Sequence, residues 1–290
     1  MKESAQYKVF KVFNVIILLL IVYVTLYPFV NIVAQSFSSE ANINAGNVTL
    51  LPQGFNIETY EVVMSDSMFW VNYKNTVLYT VVGTIISLVL STMIAYPLSK
   101  KRLKGRRFWT MFAVFTMFFS GGLIPNYVLI QKLGFGNTIW AIVIPTAISV
   151  FNMLIMKTFF ENIPEELEEA AIVDGSSTYN TLIKIVLPLS KPILATMMLF
   201  YAVTHWNSWF PAFLYFSDKE LFPVSIYLRN LIKGAEGTLS SGATSADNLT
   251  QISSNIKSVT MVLTVLPILC VYPYIQKYFV SGVMLGSVKG

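Results

Sequence analysis

Glu161–Pro192 reads ENIPEELEEAAIVDGSSTYNTLIKIVLPLSKP. It is the longest charged, helix-forming passage in a chain that is otherwise mostly apolar, and it carries five of the fifteen carboxylates as glutamates before Asp174. Pro164 suits a first helical position, where its missing N–H costs nothing. Glu165, Glu166, Glu168 and Glu169 follow in the opening turns, where the helix dipole favours negative charge. Ile163, Leu167, Ala170 and Ala171 share one face at helical spacing. Asp174-Gly175 then stops the helix, since glycine takes left-handed backbone angles at little cost. Ser176, Ser177 or Thr178 can cap a second helix. Its apolar stripe is Tyr179, Leu182, Ile183 and Val186, and Pro188 and Pro192 close it. The expectation is an elbow of two short helices with a greasy inner side. Residue chemistry alone allows two uses for it: a surface that another protein grips, or an amphipathic hairpin lying on a membrane.

Working outward, long apolar runs flank the elbow on both sides. The chain of 290 residues is 54% hydrophobic and only 12% charged, with mean hydropathy +0.61. Soluble domains are about one quarter charged, so this is an all-α polytopic membrane protein. Six transmembrane helices are expected at about residues 12–33, 75–98, 108–130, 139–156, 192–216 and 256–280. The elbow loop covers 157–191, with outside loops at 34–74 and 217–255, all in a single transmembrane domain over 1–290. The third span contains Gly121-Gly122 and Pro125-Asn126 and is expected to be broken towards its far end. The first run is too long for a signal-peptide core and reads as a retained span. Residues 234–255 are rich in Gly, Ser, Thr and Asn, as a flexible linker is.

Lys100-Lys101-Arg102-Leu103-Lys104-Gly105-Arg106-Arg107 holds six cations and reads as a cytoplasmic topology anchor. With the amino terminus inside, six spans place fourteen Lys and Arg inside against six outside. That bias puts both termini and the elbow in the cytoplasm. The net charge of +5 is spread between apolar runs and does not form a nucleic-acid surface. A single histidine and a single cysteine, Cys270, exclude a His-based metal cluster and any disulfide within the chain. No phosphate-cradling glycine loop, H-E-x-x-H or G-x-S-x-G is present. No catalytic residue, metal or cofactor is expected in this chain.

The stretch Tyr201–Phe213, YAVTHWNSWFPAF, places polar and aromatic groups together in the fifth span. Polar groups at membrane depth are costly unless they face protein or water. Tyr201, His205, Trp206, Asn207 and Trp209 are therefore candidates for a solute-facing wall, with Asn126, Tyr127 and Asn152 as further members. Aromatic faces stack on sugar rings and an amide can bond hydroxyls. The same residues also fit an interfacial aromatic belt with helix-packing polar contacts, His205 above all.

Glu169-Ala170-Ala171, Asp174-Gly175 and Leu187-Pro188 together resemble the EAA loop of permease subunits of binding-protein-dependent ABC importers. That resemblance implies the type I importer permease fold and a non-enzymatic chain. It implies a second, homologous permease subunit, two ATPase subunits that hold ATP and Mg, and an extracytoplasmic solute-binding protein, expected to be a lipoprotein. The chain would sit as a multi-pass protein in the bacterial cytoplasmic membrane. The residues carried over as ATPase-coupling are Glu165, Leu167, Glu169, Ala170, Ala171, Asp174, Gly175, Tyr179, Leu182 and Pro188. Trp206-Asn207 and Gly122-Leu123-Ile124-Pro125-Asn126-Tyr127 resemble the carbohydrate-uptake branch, particularly permeases for oligosaccharides, which implies a saccharide substrate. The tail Gly286-Ser287-Val288-Lys289-Gly290 is similar to that of maltose-importer-type permeases and implies ATPase contact through Ser287 and Lys289. Phe222-Pro223-Val224 and Leu228-Arg229-Asn230 resemble the loop such permeases direct at the binding protein. The rival readings are an importer permease for a non-sugar solute, an ion-driven secondary transporter and a membrane scaffold. The second lacks the carboxylate inside a span that it requires.

Overall fold

A computed structural model describes residues 4–241 and 253–287. Among the described residues the one extended pairing is an isolated bridge between Ser38 and Phe55. The rest is helix and connecting turns. In chain order the helices are α1 (Ala5–Ser36), α2 (Glu40–Asn44), α3 (Glu58–Ser65), α4 (Ser67–Ser99), α5 (Arg106–Phe118), α6 (Leu123–Lys132), α7 (Trp140–Val143), α8 (Val150–Glu161), α9 (Glu165–Val173) and α10 (Thr178–Thr181). A π-helical turn at Leu182–Val186 leads into α11 (Leu187–Leu189), α12 (Lys191–Trp206) and α13 (Phe210–Tyr215). A 3₁₀ turn at Lys219–Leu221 precedes α14 (Val224–Ser241) and α15 (Ser253–Ser287).

By length and composition Gln6–Ser36 and Ser67–Ser99 can each cross a membrane alone. Two further candidates are bent pairs: α5 with α6 turns by 111°, and Thr178–Leu189 with α12 by 84°. The first bend falls at Gly121-Gly122, where Gly122 has φ +90. The stretch 139–156, read from sequence as one span, is two helices separated at 144–149. Pro145 supplies no N–H there, and Ser149 starts α8 afresh by accepting from the Asn152 backbone N–H at 3.3 Å. The stretch 192–216 is likewise interrupted between Trp206 and Phe210, where Pro211 opens α13. Apolar periodicity sees neither break, because both flanks remain apolar.

The chain divides into two compact units, Met1–Phe69 with Tyr227–Pro267, and Trp70–Ile226 with Ile268–Gly290. In the first unit no side chain of the most apolar part of α1 is buried within the chain. A helix apolar on every side is how a lipid-facing element reads. Below it, the Asn31 amide donates to the carbonyls of Val48 (3.1 Å) and Thr49 (2.7 Å). Phe37 stacks on Phe55 and Tyr60, with ring centroids 5.8 and 5.1 Å away. Thr59 donates to the Asn255 side chain at 2.6 Å, and Ser258 to Gln35 at 3.1 Å. The Tyr227 hydroxyl donates to Asp66 Oδ2 at 2.5 Å.

Burial first, and then the Asp66 hydrogen bond and charge, raise the Tyr227 phenol above its ordinary value. A folded-state pKa raised above the unfolded one gives stability that is whole below about pH 10 and lost as pH rises further. The expected result is a melting temperature that falls on the alkaline side of pH 10 in wild type and falls less in Tyr227→Phe. Thermal unfolding of the detergent-solubilised protein between neutral pH and pH 11 checks this.

The second unit is built on α4. At about 1.5 Å per residue its 33 residues reach about 50 Å. Thr76, Thr84, Ser87, Ser91 and Thr92 are buried along it. Small polar residues let neighbouring backbones approach closely in lipid. Gly83 carries this furthest, since a Cβ there would lie 2.7 Å from the His205 ring on α12. One cluster joins Ala95, Tyr96 and Leu98 of α4 to Met153, Met156 and Phe160 of α8, with Leu182, Val186, Ile193, Met197 and Tyr201. Another gathers Tyr79, Ile130, Ala141, Ile142, Ala212, Tyr215, Phe216 and Ile226.

Gly83→Ala is expected to force α4 and α12 apart and cost about 1–3 kcal/mol, the usual range for overpacking. Comparing thermal unfolding of the variant with wild type in detergent reads this. A variant as stable as wild type would show that the His205 ring can move aside freely.

Candidate functional site

The elbow forms as its residues dictate. Pro164 is the N-cap of α9, one position earlier than the sequence reading placed it, with ψ 128 leaving it outside the helix. α9 ends in paired reverse bonds: Gly175 N–H to Ile172 O at 3.0 Å and Ser176 N–H to Ala171 O at 2.8 Å. This closure needs a left-handed residue just past the cap, and Gly175 supplies it at φ +76. Of the three candidate caps for the next helix, Ser177 fills the role, accepting from Asn180 N–H at 3.3 Å.

The expected apolar stripe of the second helix divides. Leu182 and Val186 turn into the core of this chain, whereas Tyr179 is 75% exposed and Ile183 61%. The cause is the π-helical turn at Leu182–Val186, whose wider winding breaks the 3.6-residue register on which the stripe was drawn. Leu182 therefore presents its side chain to the core of its own chain. Pro188 lies in the short α11 and is exposed. On α9, Ala171 is buried, while Glu165, Leu167, Glu169, Ala170, Asp174 and Gly175 are exposed. Leu167, Ile172, Val173, Tyr179 and Ile183 are exposed apolar residues around the turn. Two of these, Ile172 and Val173, were not singled out from sequence. Their position beside Asp174-Gly175 was the available signal.

Glu168 was read only as one acid among several in the first turns. In the fold it is 6% exposed, and its Oε1 is ion-paired with Lys100, just beyond the end of α4. The Tyr96 hydroxyl donates to its Oε2 at 3.3 Å, and the Lys100 ammonium lies 5.0 Å from the Tyr96 ring centroid. Other cations of the basic run also pair with carboxylates in and beside the elbow. Lys101 meets Glu165 at 3.2 Å, both well exposed, and Arg106 pairs with Glu161, which Lys157 also holds at 2.8 Å.

Above the same core lies a cavity of about 480 Å³, lined by Thr146, Ser149 and Asn152 and by Leu199, Phe200, Tyr201, Val203 and Thr204 of α12. The helix break at 144–149 opens onto it. Irregular backbone at membrane depth is tolerated where it borders such a space. Tyr201 is fixed by a 2.5 Å hydroxyl contact with Ser91 and accepts from Ser149 N–H at 3.4 Å. Of the residues proposed for a solute path, the fold brings Asn152 and Tyr201 to this cavity and adds Thr146, Ser149 and Thr204.

The others stand elsewhere. His205 is buried with Nε2 3.0 Å from Ser87 Oγ, a packing contact. Trp206 is buried edge-on to Tyr73 at 5.9 Å. Asn207 donates to Val203 O at 2.9 Å, capping α12, and Trp209 packs on Phe210 at 5.5 Å. Tyr127 stacks on Tyr215 at 5.9 Å, and Asn126 is exposed. Helical phase explains the division, because consecutive residues of α12 point to different sides. In the tail, Lys289 lies outside the described residues, and of Ser287 only the backbone, the last residue of α15, falls within them. Residues 242–252 of the Gly/Ser-rich segment are also outside them.

Comparison with known proteins places this geometry. Residues 68–284 match the family model described as binding-protein-dependent transport system inner membrane component. The chain is 40% identical over its whole length to protein LplC of Bacillus subtilis strain 168, covering 98% of that protein. It is 39% identical to the polygalacturonan/rhamnogalacturonan transport system permease protein YtcP of the same strain, across 94% of this chain and 96% of that one. Among solved structures it matches a chain of a bacterial ABC transporter involved in import of the acidic polysaccharide alginate, with TM-score 0.84 and 33% identity. That match covers 96% of this chain and 99% of the other. The chain lacks ATPase machinery and works with a second permease, ATPase subunits and a solute-binding protein. It belongs to the family of inner-membrane components of binding-protein-dependent transport systems.

Proposed function

We propose that this permease subunit imports an oligosaccharide, delivered by an extracytoplasmic binding protein, and that Glu165–Val186 is where cytoplasmic ATPases drive it. One observation carries the reading. An elbow with exposed Leu167, Val173 and Tyr179 shares a single core with a mainly apolar cavity into which Asn152 and Tyr201 bring polar groups. ATP binding draws the elbows of two permeases together, and rigid-body rocking turns the cavity from one side of the membrane to the other. Leu167, Val173 and Tyr179 fill the ATPase cleft, and Asp174-Gly175 holds the turn between them. Glu165, Glu169 and Ala170 belong to the same coupling surface, with Ala171 packed beneath it, and both termini lie in the cytoplasm.

The cavity supports a sugar. Thr146, Ser149, Asn152, Tyr201 and Thr204 offer hydroxyl and amide groups, while Leu199, Phe200 and Val203 suit the C–H faces of a ring. No charged side chain lines it. The polygalacturonan/rhamnogalacturonan permease and the alginate transporter support an oligosaccharide, including an acidic one, as the cargo.

Reconstitution into proteoliposomes with the second permease, the ATPases and the binding protein tests the reading. ATP-dependent uptake of a labelled oligosaccharide that stops when the binding protein is omitted is the expected result. Uptake driven by an ion gradient without ATP would overturn it. Neutral and uronate oligosaccharides run side by side identify the class.

A further inference from the structure

The run Lys100–Arg107 explains topology, yet topology requires only charge on one side of the membrane and no particular partner. The Lys100–Glu168 contact is of another kind. The Lys100 side chain is 11% exposed and that of Glu168 8%. Burying two charges carries a large desolvation penalty, so such a pair is a poor source of stability and a strong constraint on geometry. Its place is also particular. Glu168 lies on α9, the first helix of the elbow, whereas Tyr96 lies in the last turn of α4 and Lys100 directly follows it. Tyr96 packs edge-on to Phe160 of α8 at 6.2 Å. Two and a half turns up α4 from Lys100, Ser91 holds the cavity residue Tyr201.

We propose that Glu168 is a positioning residue: its ion pair with Lys100 and its hydrogen bond from Tyr96 fasten the elbow to α4, so that displacement of the elbow reaches the cavity wall at Tyr201. The inference rests on the elbow being the surface the ATPases move. α4 runs from Ser67 to Ser99, with Pro97 in its last turn and Lys100 directly after it, and a displacement at Lys100 reaches Ser91 over roughly 14 Å. Without the fastening, α9 keeps its connection to α8 through 162–164 and its apolar contacts, so it can still be gripped, but it slides on the end of α4. The exposed Lys101–Glu165 pair is unsuited to this task. Exposed pairs contribute little and are screened by salt.

The test uses the complete transporter in proteoliposomes and reads two quantities: sugar moved per ATP hydrolysed, and cross-linking of Tyr179→Cys to the ATPase subunit. Glu168→Gln keeps the shape of the side chain and its bond from Tyr96 but removes the charge opposite Lys100. Transport per ATP is expected to fall about two- to thirtyfold, a range typical of residues that carry coupling. Tyr179→Cys cross-linking is expected to persist, because docking is intact. Exchanging the two charges in Lys100→Glu with Glu168→Lys is expected to recover much of the ratio. Raising salt to about 0.5 M should change the wild-type ratio little, since the pair is shielded from solvent.

An unchanged ratio in Glu168→Gln overturns the proposal, as does an exchange variant no better than the single one. If Glu168→Gln does not assemble, Tyr96→Phe, which removes one hydroxyl, is read in its place. A lowered ratio there supports the fastening and a wild-type ratio refutes it. If Tyr179→Cys does not cross-link even in the otherwise wild-type chain, it is the ATPase-coupling reading that fails, and the fastening fails with it.

Discussion

Gly175→Asp is expected to leave the protein in the membrane at near-normal levels and to lower ATP-driven uptake by more than about tenfold, equivalent to about 1.4 kcal/mol. Two facts separate folding from function here. Nothing lies within 4 Å of a Cβ built at Gly175, so the substitution meets no steric obstacle. Its φ of +76 strains any residue with a side chain by about 1–2 kcal/mol, and least for Asp and Asn. That strain weakens the turn without removing it, and the core beneath is untouched. The new carboxylate, however, is added to the turn that joins Val173 to Tyr179, the most exposed apolar residues of the elbow. A partner that covers them must strip water from an unpaired charge.

Gly175→Asn is the control, with the same shape and the same backbone tolerance but no charge. It should retain most of the uptake. Equal losses in Asn and Asp would assign the effect to the backbone. Normal uptake in Asp would show that the turn is not gripped.

The cavity gives the second large effect. Asn152→Leu keeps the branched shape of the side chain, is larger, and removes an amide that lines the space between α8 and α12. A buried hydrogen-bonding partner lost to a ligand costs about 1–3 kcal/mol, which is about 5- to 150-fold in affinity. The expected result is a KM for oligosaccharide uptake raised by that factor, with basal ATPase activity unchanged, since the elbow is not altered. Tyr201→Phe should act in the same direction and also loosen α4, because it forfeits the Ser91 contact. His205→Gln is expected to alter stability and leave KM alone, because His205 faces Ser87 and Gly83 away from the cavity. Uptake kinetics in proteoliposomes distinguish these. An unchanged KM in Asn152→Leu would remove that cavity from the solute path.

The elbow was legible because its signals are local. Acids at a helix start, an Asp-Gly stop and a serine cap act within a few residues of themselves, so a reader of the chain sees cause and effect together. Its inner and outer faces were less legible. They depend on the winding of 182–186, and a π-helical turn has no local signature strong enough to displace the 3.6-residue pattern. The wall of the cavity was legible in part. Asn152 and Tyr201 were found because polar groups in an apolar run need a reason to be there. His205, Trp206 and Asn207 satisfied the same criterion and found their reason in packing and capping instead. Glu168 was hidden among four neighbouring glutamates of the same composition, and only its phase on α9 distinguishes it.

By itself the sequence determined that this is a helical membrane protein, where its charged elbow lies, where that elbow turns and that the chain has no nucleotide-binding loop of its own. Each of these follows from composition or from interactions between residues close in the chain. Tertiary structure alone decided which carboxylate is buried, which cations of the basic run are engaged, which apolar residues of the elbow are left for a partner, and where two helices part to make a cavity. Those outcomes depend on pairs such as Lys100 with Glu168, or Ser91 with Tyr201, tens to more than a hundred residues apart in the chain. No periodicity within one segment records what another segment will bring against it.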